Sequence, residues 1–285
     1  MKFPDYPLDF AIPKVMGILN LTPDSFFDGG KYILIDKIME RVEQMLLEGA
    51  DIIDAGACSS RPGAIDIGAE EEIKRLLPVI KELKASFPHL ILSVDTYHSI
   101  VAKKAIECGA NLINDISGGS IDEQMFDVIA EKGTPYVLMH MKGRPQNMQL
   151  QATYDDLVSE MYAYFVKKIE SLHQKGVDKI IIDPGFGFGK STEHNFILLE
   201  NLGVFKTLPY PLLVGISRKS MISKTLDVKT EHALNGTTVA NTIALMKGAD
   251  ILRVHDIKEA KEAIQLVQML KNASNTTHKK QNPNP

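Results

Sequence analysis

The sequence predicts a single (β/α)8 barrel, a TIM barrel of the α/β class, and three observations carry that prediction. Eight short apolar runs alternate with eight longer segments of helical periodicity. The runs are apolar at successive positions, as strands buried on both faces are. Gly49, Gly109, Gly133, Gly176 and Gly248 each close a helix-like segment just before a strand-like one, the place where a left-handed helix terminus is expected. An open doubly wound sheet satisfies the same alternation and stands as the structural alternative.

The strands fall near 15–19, 51–55, 91–95, 111–115, 135–139, 179–183, 211–216 and 250–254. Between the first two, Ile35, Ile38, Met39, Val42, Met45 and Leu46 recur at the spacing of one helix face. Comparable patterns run through 69–86, 98–108, 122–132, 153–175, 191–201, 230–247 and 256–271. No linker interrupts them, so residues 1–271 form one domain. The polar stretch 272–285, with prolines near its end, is expected to be a disordered tail.

Composition narrows the function classes. Of 285 residues, 44% are hydrophobic and 24% charged, with a net charge of −4; this suits a soluble globular protein and argues against a nucleic-acid binder. No apolar stretch is long enough to span a membrane, and the first residues lack the apolar run of a secretory signal. Cys58 and Cys108 form neither a metal spacing nor a disulfide framework. A reducing cytoplasm is the expected setting.

Polar residues collect after the strands. Asn20 follows strand 1, Ser59-Ser60-Arg61 strand 2, and His140 strand 5. Asp95 ends strand 3, Asn114-Asp115 strand 4 and Asp183 strand 6; Arg218-Lys219 follows strand 7, and Arg253 and His255 close strand 8. In a barrel these gather at the C-terminal face, where barrel enzymes build their sites. Asp95, Asn114 and Asp183 offer acceptors for a ligand with adjacent N–H groups, such as an amino-pyrimidine edge; the competing reading is that strand-end Asp residues cap the following helices. Arg61, Lys219, Arg253 and His255 form a basic set suited to an anion, with surface ion pairs as the alternative. Asn20 adds an oxygen ligand for a phosphate-bound Mg2+.

Three loops draw notice. Gly185-Phe186-Gly187-Phe188-Gly189-Lys190-Ser191 looks like a phosphate-binding P-loop, but the first required glycine falls at Pro184, so that reading is rejected. The loop is expected to be flexible and to expose a Phe beside the site. Residues 22–30 and 58–64 are rich in Gly, Pro and Ser and read as mobile covers, with Phe26 and Phe27 either sealing the barrel or capping a substrate.

Taken in order, GILNLTPDSFFDGG (17–30), SSRPGA (59–64), SVDT (93–96), INDISGG (113–119), MHMKGRPQNMQ (139–149), IIDPGFGFGKS (181–191), GISRKSM (215–221) and RVHD (253–256) resemble the bacterial dihydropteroate synthases across residues 14–271. The resemblance implies condensation of 6-hydroxymethyl-7,8-dihydropterin pyrophosphate with 4-aminobenzoate, assisted by Mg2+, in a homodimer that sulfonamides target. It assigns Asp95, Asn114, Asp183, Lys219 and Arg253 to the pterin. Asn20, Arg61, Arg253 and His255 fall to pyrophosphate, with Asn20 on the metal. Phe26, Ser60, Pro62, Phe188, Lys219 and Ser220 fall to aminobenzoate. Asp95, Lys219, Arg253 and Asp28 are the implied catalytic residues. Two positions depart from the family pattern: Cys58 stands where Glu is common, and Phe27 where Ser is. The nearest rivals are a pterin-binding methyltransferase domain serving a corrinoid protein, which has no need of the pyrophosphate residues, and a non-catalytic pterin-binding paralogue.

Overall fold

The structure, a computed structural model, describes residues 8–21, 31–58, 63 and 66–281, without the side chains of 31–34 and 274–281. Its frame is a parallel barrel of β1 (Lys14–Asn20), β2 (Ile52–Gly56), β3 (Leu92–Asp95), β4 (Leu112–Asp115), β5 (Tyr136–Met139), β6 (Ile180–Asp183), β7 (Leu213–Val214) and β8 (Ile251–Val254). The strands are ordered β6-β5-β4-β3-β2-β1-β8-β7. A parallel bridge between Ile182 and Leu212 joins the two ends and closes the barrel. This is the predicted architecture, and an open sheet is excluded.

Nine helices surround it among the described residues: α1 (Lys31–Leu47), α2 (Gly68–Ser86), α3 (Ser99–Glu107), α4 (Met125–Lys132), α5 (Leu157–Gln174), α6 (Thr192–Glu200), α7 (Ser220–Leu226), α8 (Leu234–Met246) and α9 (Ile257–Gln281). The five junction glycines all have positive φ. At Gly133, φ is 61° and the amide returns to the Ile129 carbonyl, ending α4 one residue before the run into β5. Helix α7 is absent from the sequence reading because seven residues are too few for a visible period. Helix α9 runs past Lys271, where the sequence places the start of a tail: no Gly or Pro interrupts 272–281, so nothing stops the helix there.

The core has two layers. Strand and helix side chains fill the space outside the sheet. Inside, Met16, Ile52, Leu112, Val137, Ile181, Leu213 and Ile251 form an apolar floor, and Leu8 and Phe10 close it from below. The N-terminal segment is thus the stopper of the barrel.

The floor also fixes the site. Strand side chains alternate in and out with a period of two. Two residues past the inward-facing Ile52, Leu112, Ile181 and Ile251 stand Asp54, Asn114, Asp183 and Arg253. The inward face changes from apolar to charged in one step of the pleat.

Truncating the stopper is expected to cost stability: Phe10→Ala should destabilise the fold by about 3–5 kcal/mol, the range for loss of a buried Phe. Urea unfolding of the variant checks this, and an unshifted midpoint refutes the role.

Candidate active site at the barrel mouth

Arg253 on β8 is the centre of the mouth. Its Nε donates to Asp54 Oδ2 at 2.6 Å and its Nη2 to Asp95 Oδ2 at 2.8 Å. Asn114 Nδ2 donates to the same Asp54 oxygen at 2.9 Å. Asp54 is fully buried and lies beside Ser93 in the β2–β3 register, while Gly56 lies beside Asp95. A Cβ at Gly56 would stand 3.2 Å from the Asp95 Cβ, so the bare backbone there makes room for the carboxylate. Burial opposes the Arg253 charge, but Asp54 and Asp95 overcome it, and the guanidinium stays protonated. Asp95 is pushed up to about 7: burial raises it, Arg253 opposes, and Asp54 adds repulsion.

Across the mouth, Asp183 ends β6. Its Oδ1 accepts from the Gly185 amide at 2.7 Å. Burial raises its carboxyl, with Lys219 the largest opposing influence. Lys219 comes down to about 8 through burial, opposed by Asp183. Asp95, Asp183, Lys219 and Arg253 therefore sense one another's charge, as the sequence expects.

Lys219 is aimed by its neighbour. Arg218 has φ of 54°, an uncommon conformation for a residue with a Cβ. It is held there by two bonds to Asp256, 2.9 Å from Nε and 2.5 Å from Nη2, and by its amide on Thr237 Oγ1 at 3.0 Å. The turn makes Lys219 the N-cap residue of α7, with Ser220 as its first helical residue. The Lys219 ammonium donates to the Phe186 carbonyl and lies 4.6 Å from the Phe188 ring centre.

The remaining predictions divide. Asn20 is exposed at the top of β1. His255 is half-buried, with Nδ1 3.0 Å from Ser217 Oγ. Phe188 is 9% exposed and packs with Tyr97, Ile116, Met139 and Met148; the expectation of an exposed Phe is corrected, because an apolar ring at this mouth has an apolar cluster to join. His140, Asp115 and Arg218 hold the frame instead of facing the mouth. Asp115 accepts from Tyr136 Oη and from the Ser117 and Gly119 amides, so at that strand end the acid folds back onto its own loop and caps no helix. Phe26, Phe27, Asp28, Ser60, Arg61 and Pro62 lie outside the described residues.

Two site residues escaped the sequence reading. Asp54 shows itself as an acid inside the apolar run Ile52-Ile53-Asp54-Ala55, a signal that was available. Glu72 on α2 is buried, and its Oε2 lies 2.8 Å from His98 Nδ1. The Cys58 thiol is raised by burial and then by Glu72, so it stays protonated at neutral pH.

Asp54→Ala is expected to leave a half-buried guanidinium with one partner, a change that costs up to about 3 kcal/mol, the low end for breaking a buried pair. Chemical denaturation should register the loss, and wild-type stability would show that Asp54 does not anchor Arg253.

The comparisons agree with this geometry. The sequence pattern of the pterin binding enzyme family matches residues 16–255. The dihydropteroate synthase of Escherichia coli K12 is 43% identical over 263 residues, 92% of this chain and 93% of its own. The Yersinia pestis dihydropteroate synthase, solved with a sulfonamide drug, superposes with a TM-score of 0.88 at 41% identity, covering 95% of this chain and 99% of that one. The Xanthomonas albilineans dihydropteroate synthase in complex with 7,8-dihydropteroate gives 0.82 at 36% identity, covering 93% and 95%. With its barrel, its charged mouth and these relatives, the chain belongs to the pterin-binding enzymes, among the dihydropteroate synthases.

Proposed function

We propose that the mouth carries out the dihydropteroate synthase reaction by a dissociative substitution. The observation that carries this reading is the convergence of Asp95, Asp183, Lys219 and Arg253 at the barrel mouth, above the apolar floor. Asp183 and Asn114 supply acceptors to the amino-pyrimidine edge of 6-hydroxymethyl-7,8-dihydropterin pyrophosphate. Lys219 donates to the ring, and Arg253 lies against it and reaches toward the phosphates. The C–O bond to the exocyclic methylene breaks, and pyrophosphate leaves with the electron pair. The cation that remains is conjugated with the pterin, and the Asp95 carboxylate stabilises it more than it stabilises the substrate. The 4-aminobenzoate amine then forms the C–N bond and gives one proton to the pyrophosphate. Positioning suffices for so weak a nucleophile. The aminobenzoate pocket is assigned to Phe188, Lys219 and Ser220, together with Ser60, Pro62 and Phe26, which lie outside the described residues. The X. albilineans complex with dihydropteroate and the Y. pestis complex with a sulfonamide support this choice of substrates.

Asn20 suits Mg2+, a cation that takes oxygen ligands and keeps several waters. Asn20 would offer one oxygen to a cation carried in by the substrate phosphates. When bound, the ion neutralises charge on the departing pyrophosphate. Arg61 and His255 add donors to that group.

A homodimer is part of the reading. Val239, Ile243 and Met246 on α8 and Leu266, Met269 and Leu270 on α9 are exposed, and the two helices pack side by side. Such a contiguous apolar face suits a second copy of this chain. No helix of the described residues is long and apolar enough to cross a membrane, and a cytoplasmic setting fits the two free cysteines.

Purified protein incubated with Mg2+, the dihydropterin pyrophosphate and 4-aminobenzoate should yield 7,8-dihydropteroate by mass, and none when either substrate is omitted. Pterin binding without product would overturn the synthase reading in favour of methyl transfer. The pH profile is a second check. In the free enzyme Asp95 gains its charge as pH rises through about 7 and Lys219 loses its charge above about 8, so kcat/KM for the pterin substrate should rise and then fall across that window. Asp95→Asn should remove the rising limb; a limb that survives assigns it to another group.

A further inference from the structure

The Gly-rich segment 184–190 between β6 and α6 has lost its phosphate-binding reading, yet its lysine is the most enclosed cation at the mouth. Lys190 is 2% exposed. Its ammonium lies 2.9 Å from the Gly185 carbonyl, 3.0 Å from that of Phe188 and 3.3 Å from that of His140. His140 Nδ1 is 3.0 Å away. Burial, and then the Lys190 charge, bring His140 down to about 2, so the ring is neutral and Nδ1 accepts. Burial brings Lys190 itself down to about 7, against the pull of Asp183.

The segment depends on outside anchors. Gly185, Gly187 and Gly189 all sit at positive φ and contribute no side chains. At Gly185 a Cβ would stand 2.1 Å from the His140 carbonyl, so the backbone is pressed against β5. Gly187 N donates to Asn195 Oδ1 at 2.7 Å, and the Gly187 carbonyl accepts from Gln149 Nε2 at 2.8 Å. Lys190 grips Gly185 and Phe188 from the buried side, while Lys219 grips the Phe186 carbonyl from the mouth.

We propose that Lys190 is a positioning residue for the aminobenzoate substrate: its buried ammonium draws the Gly185 and Phe188 carbonyls to one point and so holds the Phe188 ring against Lys219 as the pocket wall. The proposal rests on the reading of Phe188 and Lys219 as aminobenzoate contacts. Its effect is graded between the two substrates: Asp54, Asn114 and Arg253 reach the mouth from other strands, while the pterin side meets this segment only at its start, where the Gly185 amide donates to Asp183, and at Lys219 on the Phe186 carbonyl.

Lys190→Met keeps the length of the side chain and removes its donors. It should raise KM for 4-aminobenzoate by about tenfold, the factor that about 1.4 kcal/mol of lost contact gives, and raise KM for the pterin pyrophosphate by a clearly smaller factor. Hydrogen exchange in the peptide spanning 184–191 should quicken, and Lys190→Arg should restore part of both readouts. Unchanged exchange, or both KM values rising by the same factor, would overturn the proposal. If Lys190→Met does not fold, the exposed Gln149 gives the second variant: Gln149→Ala should produce a smaller shift in the same direction, and no shift in either readout counts against the proposal. Wild-type turnover in the same series separates the two ideas. A wild type that makes no dihydropteroate removes the reading of the site and, with it, the substrate assigned to Lys190. A wild type that turns over beside a variant with unmoved KM removes Lys190 alone.

Discussion

The guanidinium of Arg253 is the constraint on which the mouth depends. A buried cation is tolerated only with close counter-charges and saturated donors, because the desolvation cost is several kcal/mol per ion. Asp54 and Asp95 supply those charges from β2 and β3, and Asn114 ties Asp54 to β4. One side chain on β8 thereby locks three other strands in register at the barrel mouth. Burial raises the Asp95 carboxyl to about 7, Arg253 opposes it while also serving Asp54, and Asp54 adds repulsion. In the proposed reaction that carboxyl faces the positive charge that develops on the pterin.

The polar layer can be this dense because the layer below it is dry. Leu8 and Phe10 close the floor, so water reaches the charged layer from above alone, and the charges act on one another through a medium that screens weakly. The loops above are tied together as well. The long segment after β5 reaches the β2 side through the Gly63 amide on the Pro145 carbonyl at 3.2 Å, and the β6 side through Gln149. Two loops on opposite sides of the mouth thus share one brace.

The legible part of the sequence was the part with repetition. The strand–helix alternation and its glycine junctions located all eight strands, because each unit states the same pattern. Residues at strand ends were legible as a set, since the barrel brings every strand end to one face. What escaped depended on side-chain direction. Asp54 lies inside a strand, and its pairing with Arg253 spans nearly the whole chain. Lys190 and Arg218 stand next to residues at the mouth, yet one turns inward and the other outward to Asp256. No periodicity encodes that choice; it follows from backbone torsions such as the positive φ of Arg218 and Gly189. Helix α7 was too short for a period, and the burial of Phe188 depended on a cluster drawn from several loops.

Lys219 shows how such a mouth converts order into selectivity. Without substrate its ammonium is already committed to the Phe186 carbonyl. A pterin or aminobenzoate oxygen that takes its place exchanges one acceptor for another, so the net gain is small, as for most hydrogen bonds formed by exchange. A ligand that displaces the carbonyl and offers no acceptor leaves a half-buried ammonium without that partner, which costs more than the exchange gains. Discrimination against the wrong ligand therefore exceeds the affinity gained from the right one. The same logic applies to Asp183, whose Oδ1 is held by Gly185: a carboxylate fixed in advance accepts N–H groups at one spacing and penalises any ring that lacks them.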